Sequence, residues 1–596
     1  MQVNRRLLVL VILLVSVSVL AQSEDDAAKE KRARLNAILE ESLADVQSLR
    51  LPENRAVFYA RIGNLMWAQD EKRARALFLN AATELVDAQT FAESKRAQNP
   101  YSDLIHGGGT RQTILNTIAN RDAQLALELL VKTRPAAVQR AIETGPDRDK
   151  KISNYHQNTA HLAQNESYME QNFYRMAAEQ SPERAAKILK ESMTKGLSSE
   201  TFNQLTRLAD KDPVAAGEMA SQIVDRLLRS NYMFDEQPNY VNIQLTHSIL
   251  GYQMSRQNGD GNKLKFDDSR IRDLASKFVN TYVSDPRVAP SIGAGILAVA
   301  EKLAPSSVEQ VKKMNARMNP QTGNTGLDTA YQKLMENDTS VERMLAEADK
   351  FPMSTRRQIY QTASNKLMNQ GDWEGAREIL RQNFDGDDYT ISNFDSQLVY
   401  NLIGQGKFSE AERIIDGMQE QMRIGMLVHL SSTTFNRDQK ENRAQALAVL
   451  GKARQLTNER PENSNELSML MQVIGGYSQV DPAEAIRLYE GIIPKLVELT
   501  DASAVLNGFQ LNSNVREGEF IMLNGDLFSQ YGGNPSVVTS FAKFDFDRTM
   551  QMIDSFGRQE IRVSLRLQLL DGSELNASVP ITSKASVSIR TGRGDK

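Results

Sequence analysis

Large apolar side chains recur at spacings of three and four along nearly the whole chain, while runs that alternate apolar and polar residues are scarce. The first pattern puts one face of a helix against a core, whereas the second would mark strands. The spacing therefore predicts an almost all-α protein. Within it one string comes back. Gly371-Asp372-Trp373-Glu374-Gly375-Ala376-Arg377-Glu378-Ile379-Leu380 returns 35 residues later as Gly406-Lys407-Phe408-Ser409-Glu410-Ala411-Glu412-Arg413-Ile414-Ile415. Their shared core is an Ala followed at the third and fourth positions by apolar residues. It recurs at Ala446 with Val449 and Leu450, and at Ala485 with Leu488 and Tyr489, in steps of 35, 35 and 39. Such a period belongs to a helical hairpin that cannot bury its apolar face alone and must stack on copies of itself.

Looser copies extend the pattern backwards: Ala74 with Leu77 and Phe78, Ala126 with Leu129 and Leu130, Ala185 with Ile188 and Leu189, and Ala216 with Met219. These step irregularly. A second echo lies near the C-terminus, where Ile415-Asp416-Gly417-Met418 with Arg423 and Leu427 resembles Ile553-Asp554-Ser555-Phe556 with Arg562 and Leu565. Both read as a helix end, a short turn and a new helix. Asp212-Pro213, Asp285-Pro286, Asp481-Pro482 and Ser181-Pro182 read as helix starts, because proline at the first position forfeits no hydrogen bond. Ser306 with Glu309, Thr339 with Glu342 and Asp481 with Glu484 have capping-box spacing. Longer loops are expected at Asn99-Pro100 to Gly109, at Gln257 to Asn262 and at 319–326. The expected organisation is a leader over 1–21, an irregular repeat half over 22–318, a linker over 319–326, a regular half over 327–571 and a tail over 572–596.

Tyr360, Ala363, Leu367, Gly371, Trp373, Ala376 and Leu380 fall at the offsets of a tetratricopeptide-like repeat, and Leu398, Leu402, Gly406, Phe408, Ala411 and Ile415 repeat them. The chain thus resembles a divergent member of that class. Ser364 stands where the class prefers Gly, and its helix-ending Pro is missing at Asp388 and Arg423. It also resembles large secreted helical-repeat proteins of bacteria. The resemblance implies an α-solenoid, a superhelix of stacked antiparallel hairpins, whose relatives mostly bind other proteins or peptides. In this reading Ala376 and Ala411 mark close helix approaches, and Trp373 and Phe408 wedge between hairpins as core.

Composition and the N-terminus then narrow the setting. Arg5 and Arg6 precede the apolar run Leu7–Leu20, broken only by Ser16 and Ser18, and Val19-Leu20-Ala21 fits a cleavage site before Gln22. That 14-residue run is short of the roughly 20 needed to cross a bilayer. The expectation is an exported protein, periplasmic or extracellular, with no membrane span once the leader is removed. With no cysteine there is no lipid anchor of the lipoprotein kind, no disulfide and no thiolate zinc site. Lys plus Arg number 71 and Asp plus Glu 75, so removing the two leader arginines leaves 69 − 75 = −6. No strongly basic face is implied and nucleic acid is not an expected partner.

No string carries chemistry convincingly. His106-Gly107-Gly108-Gly109 resembles the oxyanion-hole string of lipases, but the required G-x-S-x-G elbow is absent; Gly476-Tyr477-Ser478-Gln479-Val480 lacks the closing Gly and lies in a helical region. His156, His161 and Glu166 are spaced by five, which points the two histidines about 140° apart on a helix. The same segment predicts one long helix, seamed by Ile152, Tyr155, Leu162, Met169, Phe173 and Met176, with Thr159 and Glu166 as polar slots. Asn258, Asp260 and Asn262 begin like a calcium loop, but Lys263 replaces the needed Gly and Ser269 the closing Glu; Asp385, Asp387 and Asp388 fail alike, with Thr390 in the Gly position. No catalytic, cofactor or metal residue is assigned and no cofactor is expected. The expected function is a non-catalytic scaffold for an unidentified protein or peptide partner, of unassigned oligomeric state. The alternative is a carbohydrate-active hydrolase whose carboxylates hide among helical acids.

Overall fold

The computed structural model describes residues 29–573 apart from 96–101, 140–154, 257–263, 319–329, 385–387, 508–514, 523–535 and the scattered positions 137, 182–183, 196, 199, 235–236, 294, 332 and 337. The expected leader, the 257–262 loop, the 319–326 linker, the calcium-like positions Asp260, Asp385 and Asp387, and the tail beyond Ser573 lie outside the described residues. Helices dominate the rest. They run α1 (29–48), α2 (Pro52–Met66), α3 (Glu71–Lys95) and α4 (Ser102–Arg121), then α5 (Ala123–Lys132), α6 (Tyr155–Gln180), α7 (Ala185–Lys195), α8 (Thr201–Lys211) and α9 (Pro213–Arg229). There follow α10 (Tyr240–Arg256), α11 (Asp268–Ser284), α12 (Ala289–Ile292), α13 (Ile296–Leu303), α14 (Val308–Met318), α15 (Val341–Ala348), α16 (Met353–Gln370), α17 (Trp373–Asn383), α18 (Asp388–Gln405) and α19 (Phe408–Asp416). The last are α20 (Glu420–Arg437), α21 (Arg443–Gln455), α22 (Ser464–Val480), α23 (Pro482–Asn507), α24 (Ser536–Phe544), α25 (Phe546–Asp554) and α26 (Gln559–Asp571). Two small antiparallel hairpins interrupt them, β1–β2 (Met233–Phe234 with Gln237–Pro238) and β3–β4 (Val515–Arg516 with Glu519–Phe520). The residues cluster into two compact units, one of 118–418 and one that joins 1–117 to 419–596.

The repeat is visible bond by bond. Gly371 and Gly406 end α16 and α18 in the left-handed region, at φ 88° and 81°. In both, the glycine amide returns to the carbonyl three residues back (Met368, Ile403) and the next amide to the one five back (Leu367, Leu402). That turn needs a residue without a Cβ at its left-handed position, which explains the glycine in each copy. The alanines at 74, 126, 185, 216, 376, 411, 446 and 485 are all buried, at 3 % exposure or less. Ser364, the departure from Gly, is buried and donates its hydroxyl to the Ala376 carbonyl at 2.9 Å; Ser431 does the same to Ala446 at 2.9 Å. Trp373 and Phe408 are only half-buried rather than core. Trp373 is instead covered by the Arg413 guanidinium of the next hairpin, 4.7 Å from its ring centroid.

A further repeated device was hidden in the second echo. An apolar residue closes the turn before a helix, and an arginine sits fourth in that helix: Leu49 and Arg55, Phe351 and Arg356, Met418 and Arg423, Phe556 and Arg562. In three copies the guanidinium bonds carbonyls of the turn just passed. Arg55 bonds those of Leu49 (2.6 Å) and Arg50 (2.9 Å), Arg356 those of Asp349 (3.2 Å) and Phe351 (3.3 Å), and Arg562 those of Phe556 (2.9 Å) and Gly557 (3.2 Å). A planar fork of five donors suits two carbonyls close together in such a turn.

Several expected boundaries move. The loop expected up to Gly109 is helical, because α4 begins at Ser102. The cap of α15 is Ser340, whose hydroxyl accepts from the Arg343 amide; Thr339 bonds the Lys333 carbonyl instead. Pro305–Ser307 form a 3-10 turn, so Ser306 lies inside it rather than capping α14. Asp285-Pro286 starts a turn, and α12 follows only at Ala289. Asp212 does cap α9, accepting from the Ala215 amide at 3.0 Å.

In the unit that holds both chain ends, polar side chains join segments far apart in sequence. Glu519 on β4 accepts from the backbone amides of Arg50 and Leu51 at the start of α2. Asn54 donates to the Phe520 carbonyl and accepts from the Met522 amide, both at 2.7 Å. Arg516 pairs with Glu53, and Glu560 accepts from the Phe520 amide at 3.2 Å. Burial pushes the Glu53 carboxyl above its usual range, although Arg516 pulls it back. Arg566, buried on α26, meets Asp45 at 2.9 Å, Glu41 at 2.9 Å and Asp554 at 2.7 Å.

Candidate functional site

The residues singled out in the sequence do not converge. His106 to Gly109 belong to α4 and His156 and His161 to α6, five positions apart on a helix. Asp388 opens α18. Tyr477 and Ser478 lie inside α22, where Gly476 permits a close helix approach: a Cβ there would stand 2.6 Å from Leu450 Cδ2 and 3.1 Å from Val428 Cγ1. This is packing, not a nucleophile turn. His247 meets the Ile292 carbonyl at 2.7 Å and sets its ring edge-on to Phe278. Burial lowers the pKa of His429. Among the described residues no three His, Asp or Glu are placed to hold a metal, and no helix is long and apolar enough to cross a membrane.

Among the described residues one concavity is a groove of about 290 Å³ in the 118–418 unit. One wall is α5, which contributes Gln124, Leu127, Glu128 and Val131. The other is α7, with Arg184 just ahead of its first turn and Lys187, Ile188 and Glu191 within it. Both sets run i, i+3, i+4, i+7, the spacing of a single helix face. Glu170 and Tyr174, one turn apart on α6, complete the lining. The repeat alanines Ala126 and Ala185 lie on the two walls, so these are equivalent helices of successive hairpins.

The frame around the groove is tied down by named bonds. Asp122 caps α5 through the Leu125 amide at 3.0 Å. Gln180, at the end of α6, accepts from the Ala123 amide and donates to the Ala119 carbonyl, both at 2.8 Å. Beyond the far end of α5, Arg134 pairs at 2.8 Å with Glu166, which is 2 % exposed. The polar slot expected at Glu166 is therefore a buried ion pair within the seam. Removing one partner of such a pair strands the other's charge, so its role is to fix α6 against α5. Five residues further along α6, Gln171 joins a buried network with Ser198, Thr201 and Gln204 that fixes α6 to α8 and the turn before it.

Charge is sorted along the groove. Tyr174 is buried and its hydroxyl donates to Glu191 at 3.2 Å. Burial first, then the Glu191 and Glu170 charges, push the Tyr174 phenol well above its ordinary value, so it stays a protonated donor. Glu191 is the last of the α7 stripe and Glu170 stands one turn from Tyr174 on α6, so the two carboxylates share one end. Arg184 and Lys187 stand exposed at the other. Seven positions separate Arg184 from Glu191, about 10 Å along a helix axis. The apolar lining is Leu127, Ile188 and Val131, the last 57 % exposed. Sequence reading missed this site because every residue in it is an ordinary helical residue. The available signal was the pair of matching four-residue stripes on α5 and α7.

No protein-family model matches the chain. No curated protein matches it either. One solved structure that it resembles, titled "Circular tandem repeat protein with novel repeat topology and enhanced subunit contact surfaces", aligns at 12% identity over 91% of this chain and 95% of that chain, with a TM-score of 0.12. The recurring hairpins, with their glycine turns and buried alanines, make this chain a helical-repeat protein.

Proposed function

We propose that the chain is an exported, non-catalytic scaffold that binds a peptide segment of a partner protein in the groove between α5 and α7. The observation that carries this reading is an open, firmly framed groove lined by apolar side chains together with charges of both signs. Val131 is its most telling residue, since a large apolar side chain left mostly in water at a concave site gains most from a partner. In the same reading the hairpins stack as a right-handed, tetratricopeptide-like α-solenoid, with a leader removed after Ala21 and a mature chain beginning at Gln22.

The test uses full-length exported protein as bait. Wild type should retain a saturable partner from the exported fraction, and Val131→Glu, at an exposed position, should lose it while keeping its thermal midpoint. Equal capture by both proteins would reject the groove. Turnover of a polysaccharide by the purified protein, with no partner retained, would replace this reading by the hydrolase. N-terminal sequencing of the exported chain reads the leader: any start other than Gln22 rejects that part.

A further inference from the structure

We infer that the groove selects a helical peptide segment of split charge, carrying a Lys or Arg and an Asp or Glu seven positions apart with apolar residues between them. This deepens the proposed function and rests on it. The argument is charge complementarity on a helical ruler. The acidic end of the groove is Glu170 with Glu191, and the basic end is Arg184 with Lys187. Residues seven apart on a helix share a face and stand about 10 Å apart, the same interval that separates Arg184 from Glu191. An occupant helix laid between the walls thus brings one cation to the glutamates and one carboxylate to the basic pair in the same register. Its intervening apolar positions, three and four along, meet Leu127 and Ile188, with Val131 toward the acidic end, as in helix-in-groove recognition.

A segment of one charge sign does not fit. A wholly basic helix meets Arg184 and Lys187, and a wholly acidic one meets Glu170, Glu191 and the exposed Glu128. Like charges set together across an interface suppress the wrong partner more than opposite charges strengthen the right one. Tyr174 sharpens this discrimination. Its hydroxyl is committed to Glu191 and holds that carboxylate at the groove's end rather than letting it swing into solvent.

The experiment is selection from a random 14-residue peptide display library on immobilised full-length protein. Peptides are then synthesised and their affinity measured for wild type, for Glu170→Lys/Glu191→Lys and for Arg184→Glu/Lys187→Glu. The expected consensus pairs a base and an acid at i and i+7 around apolar residues. Each charge-reversed variant should weaken binding about tenfold or more. Exchanging the peptide's base for an acid should restore binding to Glu170→Lys/Glu191→Lys, a rescue that damage to folding cannot imitate. Circular dichroism melts confirm that each variant is folded, and Arg184→Glu/Lys187→Glu provides a second test should the glutamate variant unfold. A consensus without paired charges overturns the inference. So do peptides that bind all three proteins alike; peptide binding would then stand, but elsewhere on the chain. Enriched peptides that lose affinity for Val131→Glu while ignoring both charge variants would keep the groove and reject its charge selection.

Discussion

The seam that joins α1 and α2 to β4 and α26, and the hairpins of α16 to α19, solve the same packing problem by different means. In the hairpins, partners are near in sequence and mostly apolar. Ile359, Ala363 and Ile379 share one cluster with Val341, Met344 and Phe351, and the polar bonds span 12 residues (Ser364 to Ala376) and 18 (Arg377 to Asp395). In the seam, buried polar groups hold residues 468 positions apart in sequence (Leu51 and Glu519) and 521 apart (Asp45 and Arg566). Apolar contact is non-directional and lets each hairpin settle on its neighbour. A hydrogen-bonded carboxylate fixes one register, because each donor left unfilled in a buried site is costly. Repetition builds the hairpins, and specific polar contacts fix which distant segments of the chain meet in the seam.

The largest expected effect therefore falls on the seam. Glu519→Ala strands two backbone amides and removes one of the two acceptors of the Asn54 amide, and should cost about 3–5 kcal/mol in urea unfolding. Amide exchange should rise first at 50–54 and 515–522. Protection there equal to wild type would show that the carboxylate is dispensable. Ala411→Leu should cost roughly 1–3 kcal/mol through overpacking, with Ala411→Ser milder. Since repeats lean mainly on neighbours, lost protection should concentrate in α18 and α19 and spread weakly to residues before 300. Uniform loss along the chain would break the contrast between the two regions. The smallest effect is expected for Ser364→Ala, about 1 kcal/mol for one buried hydrogen bond, with Ser431→Ala matching it. A difference of more than twofold between the two would show that the shared bond is not the same device in both hairpins.

How much of this could be read beforehand follows the same division. Gly371, Gly406 and the alanines from 74 to 485 were legible because a local turn and a close helix approach each demand a particular residue type at a fixed spacing. Met169, Phe173 and Glu166 were legible on a long α6 for the same reason. The echo of Arg423 and Arg562 is legible, but the device behind it is not: at Arg562 the guanidinium grips the turn behind it, and no sequence pattern states which carbonyls a long side chain reaches. The seam was illegible because nothing near Asn54 indicates Phe520 or Met522. The groove failed to stand out for a related reason. Glu170, Glu191 and Arg184 gain meaning only once α5 and α7 lie on either side of α6.

The tie between Leu51 and Glu519 also sets a timetable. A ribosome adding about 5–20 residues per second takes roughly 20 to 90 s to travel between them. One 35-residue hairpin takes only about 2 to 7 s at the same pace. The pair α2 and α3 can close early, as can every later hairpin on the one before it. The first turn of α2 cannot: its amides and Asn54 wait for a strand not yet made. Closing a loop of that length is slow as well as late. The first turn of α2 is thus among the last parts to finish, and it stays open for most of synthesis.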